Sequence, residues 1–421
     1  MTAVVGIMNK RGIAIAADSA VTITRPFAWN PKIANSANKM LRLSSAQPIS
    51  VMITGNACFL NTPWDVIVRR YRQKWGDKSL PTVEACVNDF FRYIPTEEQL
   101  FPKILQTEYI EDVLKSCFDD VSDDMACEGL FIMSDPNQIL KSYHSVLEKR
   151  KKALLKRVVS PSFIDYPFSR FKEFASEAWE RFSEKLDTEP DNLLEEIKDE
   201  LLEMAMLSMT TRNEEGGTTL VFSGFGGEED FPTLIAAEVN HGFDGRVNYH
   251  IDDKNVIRVS DKTPAAICPF AQTDIMEALL TGVNPLFKEE AVKRSVELLE
   301  RLDEQIAIQE GNSDEIWSII NKVKYKDLIR KFSNAEEKRA RAARQVWIEA
   351  LKDYDLQDMA QLAENLVAMT GFERHMTFKN EGVGGPIDLA VITKNNGFTW
   401  LNRKSWYHRK DVGGVYGKFG V

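Results

Sequence analysis

The sequence contains little cysteine and little histidine, and both shortages narrow the kinds of protein it can encode. There are five Cys and five His in 421 residues. The Cys count is odd and no Cys-x-x-Cys pair occurs, which excludes a disulfide framework and a zinc knuckle. The His residues never fall at metal-ligand spacings and are expected to be structural or exposed. We therefore expect no metal or other cofactor, and a reducing, cytoplasmic location. The cysteines are Cys58, Cys86, Cys117, Cys127 and Cys268, and the histidines are His144, His241, His250, His375 and His408.

Long apolar runs and a secretion signal are also missing. No stretch approaches the roughly 18 consecutive apolar residues that a membrane span needs. The N-terminus, MTAVVGIMNKRG, has no basic residue before its apolar run and no cleavage-site pattern. Neither membrane insertion nor secretion is expected.

A strong excess of positive charge is the third absence. The 53 Lys and Arg residues face 63 Asp and Glu residues, a formal net charge of −10, which argues against a surface built to hold phosphate backbones. Two basic runs, Lys149–Arg157 and Lys338–Arg344, lie among acidic residues in helical text and are typical of solvated faces. We expect no nucleic-acid partner.

Strand patterns are present at both ends of the chain and in its middle. Residues 2–8 and 13–22 are apolar, β-branched runs separated by 9–12, which predicts a β-hairpin at the start of the chain. Residues 48–56 predict a strand, followed by helices over Thr62–Trp75 and Thr82–Ile94. Further strands are predicted at 218–227, 233–239, 246–251, 255–260, 387–393 and 398–402, and further helices at Phe270–Leu280 and Leu356–Thr370.

Two long charged blocks, 97–214 and 286–353, are almost wholly helical in pattern. Aromatic residues in the first block fall close to helical spacing and predict a seam between helices. They are Phe168, Phe171, Trp179 and Phe182. The pattern predicts one interrupted domain made of residues 1–96, 215–285 and 354–412, with helical insertions at 97–214 and 286–353 and a flexible tail at 413–421.

Thr2 stands directly after the initiator Met, and a Met followed by a small residue is the usual substrate for removal of that Met. A terminal Thr combines a hydroxyl nucleophile with an α-amine of pKa about 7.7–8.0, so one residue supplies nucleophile and base. Such a nucleophile needs a cation, a carboxylate to hold the cation, and a backbone N–H for the oxyanion. The candidates at strand ends are Asp18, Lys39 and Gly55, with Lys32 as a competitor for the cation.

The segments TAVVGI, GIAIAADSAVT, NKMLRL and VMITGNA resemble the opening of proteasome β-subunits and of their bacterial proteasome-like peptidase relatives. TTLVFSGFGG and GGPIDLAVIT resemble later strands of the same N-terminal-nucleophile family. The resemblance implies that Thr2 is the nucleophile and Asp18 its acidic partner. It further implies that Lys39 is the activating cation and that the Gly55 N–H binds the oxyanion.

The sequence departs from the family at the residues that support the nucleophile. The family's Gly-Ser-Gly segment falls on Pro264–Pro269, which contains no Ser, and a second supporting Asp and Ser fall on Asn380 and Val383. An altered supporting shell commonly lowers activity, because the reacting groups are then loosely held. Four other residues are candidates to support the nucleophile in place of the missing ones: Thr273, Asp274, Glu381 and Ser223.

The resemblance implies an α+β fold, a four-layer αββα sandwich with two large helical insertions. It implies a threonine-type hydrolase that cleaves peptide or amide bonds through an acyl-enzyme on Thr2, after removal of Met1. It also implies a homo-oligomer and an unfolding ATPase or other regulator as partner. Two alternatives remain open: a catalytically silent scaffold whose helical insertions mediate protein interaction or self-assembly, and a small-molecule amidase of the same superfamily.

Two other sequence features have simpler interpretations. Cys58 lies three residues after Gly55, but no nearby basic group would activate it, so a structural thiol is expected. Ser223–Gly227 looks like a phosphate loop, but Glu228, Glu229 and Asp230 follow it and would repel an anion. A tight turn after a strand is the better interpretation.

Overall fold

The computed structural model describes residues 2–23, 32–34, 38–127, 136–186, 192–212, 217–309, 325–377 and 383–404. Over these ranges the protein has fifteen strands and eleven α-helices, and the strands of each sheet are antiparallel. The predicted α+β class is confirmed. The chain divides into two compact units: unit 1 contains Met1–Lys39, Asp230–Pro232 and Arg258–Val421, and unit 2 contains Met40–Glu229 and Thr233–Ile257. None of the helices in the described ranges combines the length and apolar character needed to cross a bilayer.

Unit 1 is built on a five-stranded sheet that begins with the predicted hairpin. Strands β1 (Ala3–Asn9) and β2 (Gly12–Ala17) pair from Val4↔Ala17 to Asn9↔Gly12, and every residue of both strands is buried. This confirms the hairpin and shortens its second strand, because residues 21–23 pair elsewhere. The short strands β3 (Val21–Ile23) and β4 (Lys32–Ala34) form a separate two-stranded ribbon.

The other three strands of this sheet come from late in the chain. They are β13 (Ala265–Ala271), β14 (Asp388–Thr393) and β15 (Gly397–Asn402), and the strand order is β13-β1-β2-β14-β15. The strands predicted at 387–393 and 398–402 are confirmed as β14 and β15. The three central strands are therefore β1 and β2, which are adjacent in sequence, and β14, which lies more than 350 residues further along the chain.

Four helices belong to unit 1: α8 (Asp274–Thr281), α9 (Pro285–Gln309), α10 (Tyr325–Leu351) and α11 (Leu356–Met376). Side chains of α8, α10 and α11 share one apolar cluster with β1 and β2, which includes Ile7, Ala16, Met276 and Leu366. Asp355 caps α11, since its side chain accepts a hydrogen bond from the Asp358 N–H at 2.8 Å. The helical pattern predicted over 286–353 is confirmed for the described residues, while 310–324 lie outside them. The helix predicted from Leu356 is also confirmed, and α11 continues six residues past the predicted end at Thr370.

The prediction of a helix over Phe270–Leu280 is wrong at its start. Residues 265–271 form β13, and α8 begins only at Asp274. β13 lies at the sheet edge and pairs with β1, with Pro269 opposite Val5. Proline donates no hydrogen bond and is tolerated in a strand mainly at such an edge, so Pro264 and Pro269 concealed the strand.

Unit 2 contains a second antiparallel sheet with the order β11-β10-β9-β6-β5. Its strands are β5 (Met40–Arg42), β6 (Ile49–Gly55), β9 (Thr218–Gly224), β10 (Thr233–Phe243), β11 (Arg246–His250) and β12 (Val256–Arg258), which pairs with β10. The strands predicted in these regions are confirmed, although β10 is four residues longer than predicted. The strands β7 (Cys58–Phe59) and β8 (Thr62–Pro63) are two residues long and pair with each other.

Helices α1 (Trp64–Trp75) and α2 (Val83–Tyr93) cover one face of this second sheet. Their aromatic side chains pack edge to face against each other and the sheet, with Phe90 in contact with both Tyr71 and Phe222. Thr82 caps α2 by accepting a hydrogen bond from the Ala85 N–H at 3.1 Å. Both helices are confirmed, with starts one or two residues later than predicted.

The described residues of the block 97–214 form five α-helices with a core of their own. They are α3 (Lys103–Cys127), α4 (Pro136–Leu154), α5 (Phe168–Phe174), α6 (Ser176–Ser183) and α7 (Leu193–Thr210). Phe171, Trp179 and Phe182 are buried in that core, which confirms the predicted aromatic seam. Phe243 at the end of β10 joins the same core, so the helices pack on the sheet of unit 2. The division into one domain with two insertions stays a prediction.

His241 of β10 is buried, and burial lowers its pKa to about 4. The unfolded imidazole takes up a proton near pH 6.5, while the folded one stays neutral, so acid favours the unfolded chain between these pH values. We expect the free energy of unfolding to fall by up to about 3 kcal/mol more in the wild type than in His241→Asn over that interval. Urea unfolding of both proteins between pH 7 and about pH 4 tests this linkage. Equal losses in the two proteins would contradict it.

Candidate active site

Asp18 lies beside the first residues of β1 because the hairpin register continues one step beyond β2. The Asp18 N–H donates to the Ala3 carbonyl at 3.1 Å, and the Ala3 N–H donates back to the Asp18 carboxylate at 2.8 Å. The carboxylate is therefore fixed one residue away from Thr2. The strand pairing that makes the hairpin also positions the acidic group.

Lys39 forms a buried ion pair with Asp18. Its Nζ lies 2.8 Å from Asp18 Oδ1, and the two side chains are 6% and 1% exposed. The other carboxylate oxygen accepts from the Ala20 and Gly384 N–H groups at 3.2 and 3.1 Å. All four partners of the carboxylate are donors, an arrangement that suits its ionised form. The structure thus brings Lys39 to Asp18, whereas the side chain of the competitor Lys32 lies outside the described residues.

Burial lowers the pKa of the Lys39 amine below its usual value. Asp18 opposes the shift through its charge and its hydrogen bond, while the charge of Lys404 adds to it and that of Asp388 opposes it. The amine therefore releases its proton more readily than a lysine on the surface.

Thr2 is 7% exposed, and its backbone is held by the end of β13. The Thr2 carbonyl accepts from the Gln272 N–H at 3.1 Å. The Gln272 side chain accepts from Arg374 Nε at 2.6 Å, and Arg374 Nη2 contacts both carboxylate oxygens of Asp274 at 2.5 and 2.6 Å. Asp274, considered above as a substitute support, is thus bound to Arg374 of α11.

The described residues among the other candidates for support have local roles of their own. Thr273 lies at the N-cap position of α8, and Ser223 Oγ hydrogen-bonds to Ser50 Oγ at 2.9 Å in unit 2. Val383 packs in the apolar cluster of unit 1 and supplies no polar group. Asn380 and Glu381 lie outside the described residues.

A second buried ion pair stands beside the first and was not predicted from the sequence. Lys404 Nζ lies 2.6 Å from Asp388 Oδ2 and donates to Ser19 Oγ at 3.1 Å. The Ser19 hydroxyl in turn donates to the Pro386 carbonyl at 2.6 Å. Because Ser19 follows Asp18 in the chain, this second ion pair fixes the position of the residue next to Asp18.

Gly55, the predicted oxyanion donor, is the last residue of β6 and belongs to unit 2. Its φ of 83° lies in the left-handed region, and a Cβ there would collide with the Gly217 carbonyl oxygen. The backbone therefore requires glycine at this position for reasons independent of catalysis.

We expect Gly55→Ala to lower the free energy of unfolding by about 1–3 kcal/mol, since it adds both the left-handed strain and the collision. Thermal or urea unfolding measures this loss. Gly245→Ala is a matched control, because Gly245 also has a positive φ of 72° but nothing lies within 4 Å of its Cβ position. Equal stability of Gly55→Ala and wild type would contradict the expectation.

Four of the five thiols are unsuited to act as nucleophiles. All five cysteines are free, and burial raises the pKa of Cys58, so this thiol remains protonated at neutral pH. Burial also raises the pKa of Cys86, Cys117 and Cys268 to about 12. Within the described ranges, no three His, Cys, Asp or Glu side chains come together as a metal site.

No family model matches this chain, and no curated protein matches it in sequence. Solved structures similar to it include two of Anbu from Hyphomicrobium sp. strain MC1. The Gly-1 mutant of Anbu is 11% identical, with a TM-score of 0.30, and the match covers 97% of this chain and 90% of that chain. The second Anbu structure is 11% identical with a TM-score of 0.28, covering 96% and 86%. Likeness at this level carries no argument about function, so the proposal below rests on side-chain geometry.

Proposed function

We propose that this protein is a proteasome-like N-terminal threonine hydrolase that cleaves peptide or amide bonds after removal of Met1. The observation that carries the proposal is the buried ion pair of Lys39 and Asp18, hydrogen-bonded to the backbone N–H of the residue that follows Thr2. A buried lysine with a lowered pKa is a group suited to activating a nucleophile.

In the proposed reaction, Thr2 Oγ attacks the carbonyl carbon of the substrate. Its proton passes to a basic nitrogen, either the free α-amine of Thr2 through a water or the Lys39 amine. The C–N bond of the tetrahedral intermediate then breaks, and the leaving amine takes up that proton. Water attacks the ester on Thr2, which releases a carboxylic acid and restores the hydroxyl.

Asp18 and Lys39 have separate tasks in this scheme. Asp18 holds the Lys39 amine and is itself fixed by backbone N–H groups from residues 3, 20 and 384. The sequence resemblance implied an activating cation at Lys39, and a lowered pKa also suits a group that accepts and returns the proton. The backbone N–H of Gly55 is proposed as the oxyanion donor.

The proposal includes the four-layer αββα sandwich and the domain division given above. It includes a peptide or protein substrate, a homo-oligomer, and an ATPase or other regulator as partner. The five free thiols support the cytoplasmic location, because a reducing compartment keeps thiols unpaired.

One observation favours the alternative, a silent scaffold. The Asp18 carboxylate connects β1, the segment after β2 and the Gly384 loop, so the ion pair has a structural role whether or not chemistry occurs. Removing one partner of such a pair destabilises a protein without any catalysis. The scaffold requires no free amine at Thr2 and no acylation.

Mass spectrometry of the intact protein, before and after treatment with a β-lactone, tests the proposal. Attack by Thr2 Oγ opens the lactone ring and adds the whole reagent to the protein as an ester. We expect a chain that begins at Thr2 and gains one reagent mass on its N-terminal peptide. Lys39→Met is expected to slow the acylation, while Lys10→Met, on the exposed hairpin turn, leaves it unchanged. A retained Met1, or a chain beginning at Thr2 that is not acylated, would overturn the enzyme proposal and favour the scaffold.

A further inference from the structure

A partly open cavity of about 390 Å³ in unit 2 is lined by residues of α3, α4 and α7, of the segment after α4, and by one residue of β10. Its volume is within the range of about 300–1,000 Å³ that is usual for small-molecule sites. Leu154, Met204 and Met209 give it apolar walls, and His241 is among its buried lining residues. We call it the α3–α7 cavity. The proposed reaction does not use it.

The buried part of the α3–α7 cavity contains an unsatisfied polar group. His241 is 5% exposed, and its Nδ1 lies 3.1 Å from the Tyr109 hydroxyl. Its Nε2 makes no hydrogen bond within the described part of the chain. The Met209 carbonyl lies near the ring and already accepts from Asn248 Nδ2 at 2.7 Å, so it offers Nε2 no well-formed hydrogen bond.

The protonation states of Tyr109 and His241 determine whether the cavity presents a hydrogen-bond donor or an acceptor to a ligand. Burial raises the pKa of Tyr109 to about 12 and lowers that of His241 to about 4, so both groups are neutral at pH 7. Of the two neutral tautomers, the one in which the Tyr109 hydroxyl donates to Nδ1 places the ring proton on Nε2, and this is the tautomer of the proposed site. A buried N–H without an acceptor is costly, and an acceptor oxygen would satisfy it.

The exposed part of the α3–α7 cavity carries a positive charge. The lining residues Arg150 and Asp120 pair with each other at 3.3 Å, and Asp124 also holds Arg150 at 2.7 Å, so these charges compensate one another. Arg157 also lines the cavity and is exposed, and no described carboxylate pairs with it. Such a guanidinium is a ready partner for a carboxylate.

We propose that the α3–α7 cavity binds a small organic acid, with its carboxylate at Arg157, its apolar chain along Met204 and Met209, and an acceptor oxygen at His241 Nε2. Free phosphate would match only the arginine, and an amine would be repelled by it. The site therefore selects for a carboxylate joined to an apolar chain, with a hydroxyl or carbonyl oxygen at the other end.

Methyl NMR of the full chain, labelled at its methionine methyl groups, tests this proposal with octanoate as the probe. We expect octanoate to shift the Met204 and Met209 signals at millimolar concentration, and octylamine to leave them unchanged. Arg157→Gln should weaken octanoate binding about tenfold, as expected for a lost charge-assisted hydrogen bond. Arg69→Gln on α1, with the same change of charge at an exposed position outside the cavity, should bind as the wild type does.

A second comparison tests the buried end of the cavity. An ω-hydroxyoctanoate should bind several-fold tighter than octanoate in the wild type. His241→Asn keeps an acceptor for Tyr109 but removes Nε2 and should abolish that advantage, whereas His241→Gln keeps an N–H near Nε2 and should retain part of it. Equal shifts with octanoate and octylamine, no shift at Met204 and Met209, or equal affinity in Arg157→Gln and Arg69→Gln would each overturn the proposal.

Discussion

Replacing Thr2 with Ala is expected to abolish amide hydrolysis, lowering the rate by about four to six orders of magnitude. The reason is that the variant retains a terminal amine but has no oxygen to attack the carbonyl. Turnover of a panel of fluorogenic peptide amides measures the loss. The β-lactone should also fail to add to the N-terminal peptide of this variant.

Thr2→Ser is the matched control, since it keeps a hydroxyl beside the same α-amine and should retain acylation. Thr2 is buried, so thermal unfolding of both variants must show that they fold as the wild type does. Turnover by a folded Thr2→Ala protein at the wild-type rate would rule out Thr2 as the nucleophile.

Asp18→Ala is expected to lower the free energy of unfolding by about 3–5 kcal/mol. The change leaves the buried Lys39 amine without its counter-ion and removes the acceptor of three backbone N–H groups. Urea unfolding measures the loss, and a wild-type unfolding free energy would show that the ion pair contributes nothing to the fold.

A double replacement separates the structural role of this pair from its chemical role. Asp18→Asn combined with Lys39→Met puts neutral side chains of similar size in the same place, and a buried pair exchanged as a whole often costs little. We expect this protein to recover most of the stability lost in Asp18→Ala but to show no acylation at Thr2. Recovery of both stability and acylation would mean that the pair has no part in the chemistry.

The fold was predictable from the sequence where a local pattern determined the element. The two runs on either side of residues 9–12 contain β-branched and small apolar residues and form a hairpin by themselves. The helices α1 and α2 have clear apolar faces. β13 was missed because Pro269 is acceptable there only through its place at the sheet edge, and no local signal shows which strand lies at an edge.

The candidate site was likewise predictable from the sequence only in part. Asp18 could be placed beside Thr2 from the hairpin register alone, and Lys39 followed from the resemblance. Gly384 and Lys404 could not be predicted, because they lie 366 and 385 residues from their partners Asp18 and Ser19. Such contacts depend on the sheet order, in which β14 pairs with β2.

The place of β14 beside β2 has a consequence for biosynthesis. During translation the hairpin emerges long before Gly384, Asp388 and Lys404 leave the ribosome. Until then the Asp18 carboxylate lacks one of its N–H donors and β2 has an unpaired edge, which is a hazard for aggregation. The surroundings of Thr2 are therefore completed only after Lys404 has been made, so a nascent chain that ends before it carries an unfinished site.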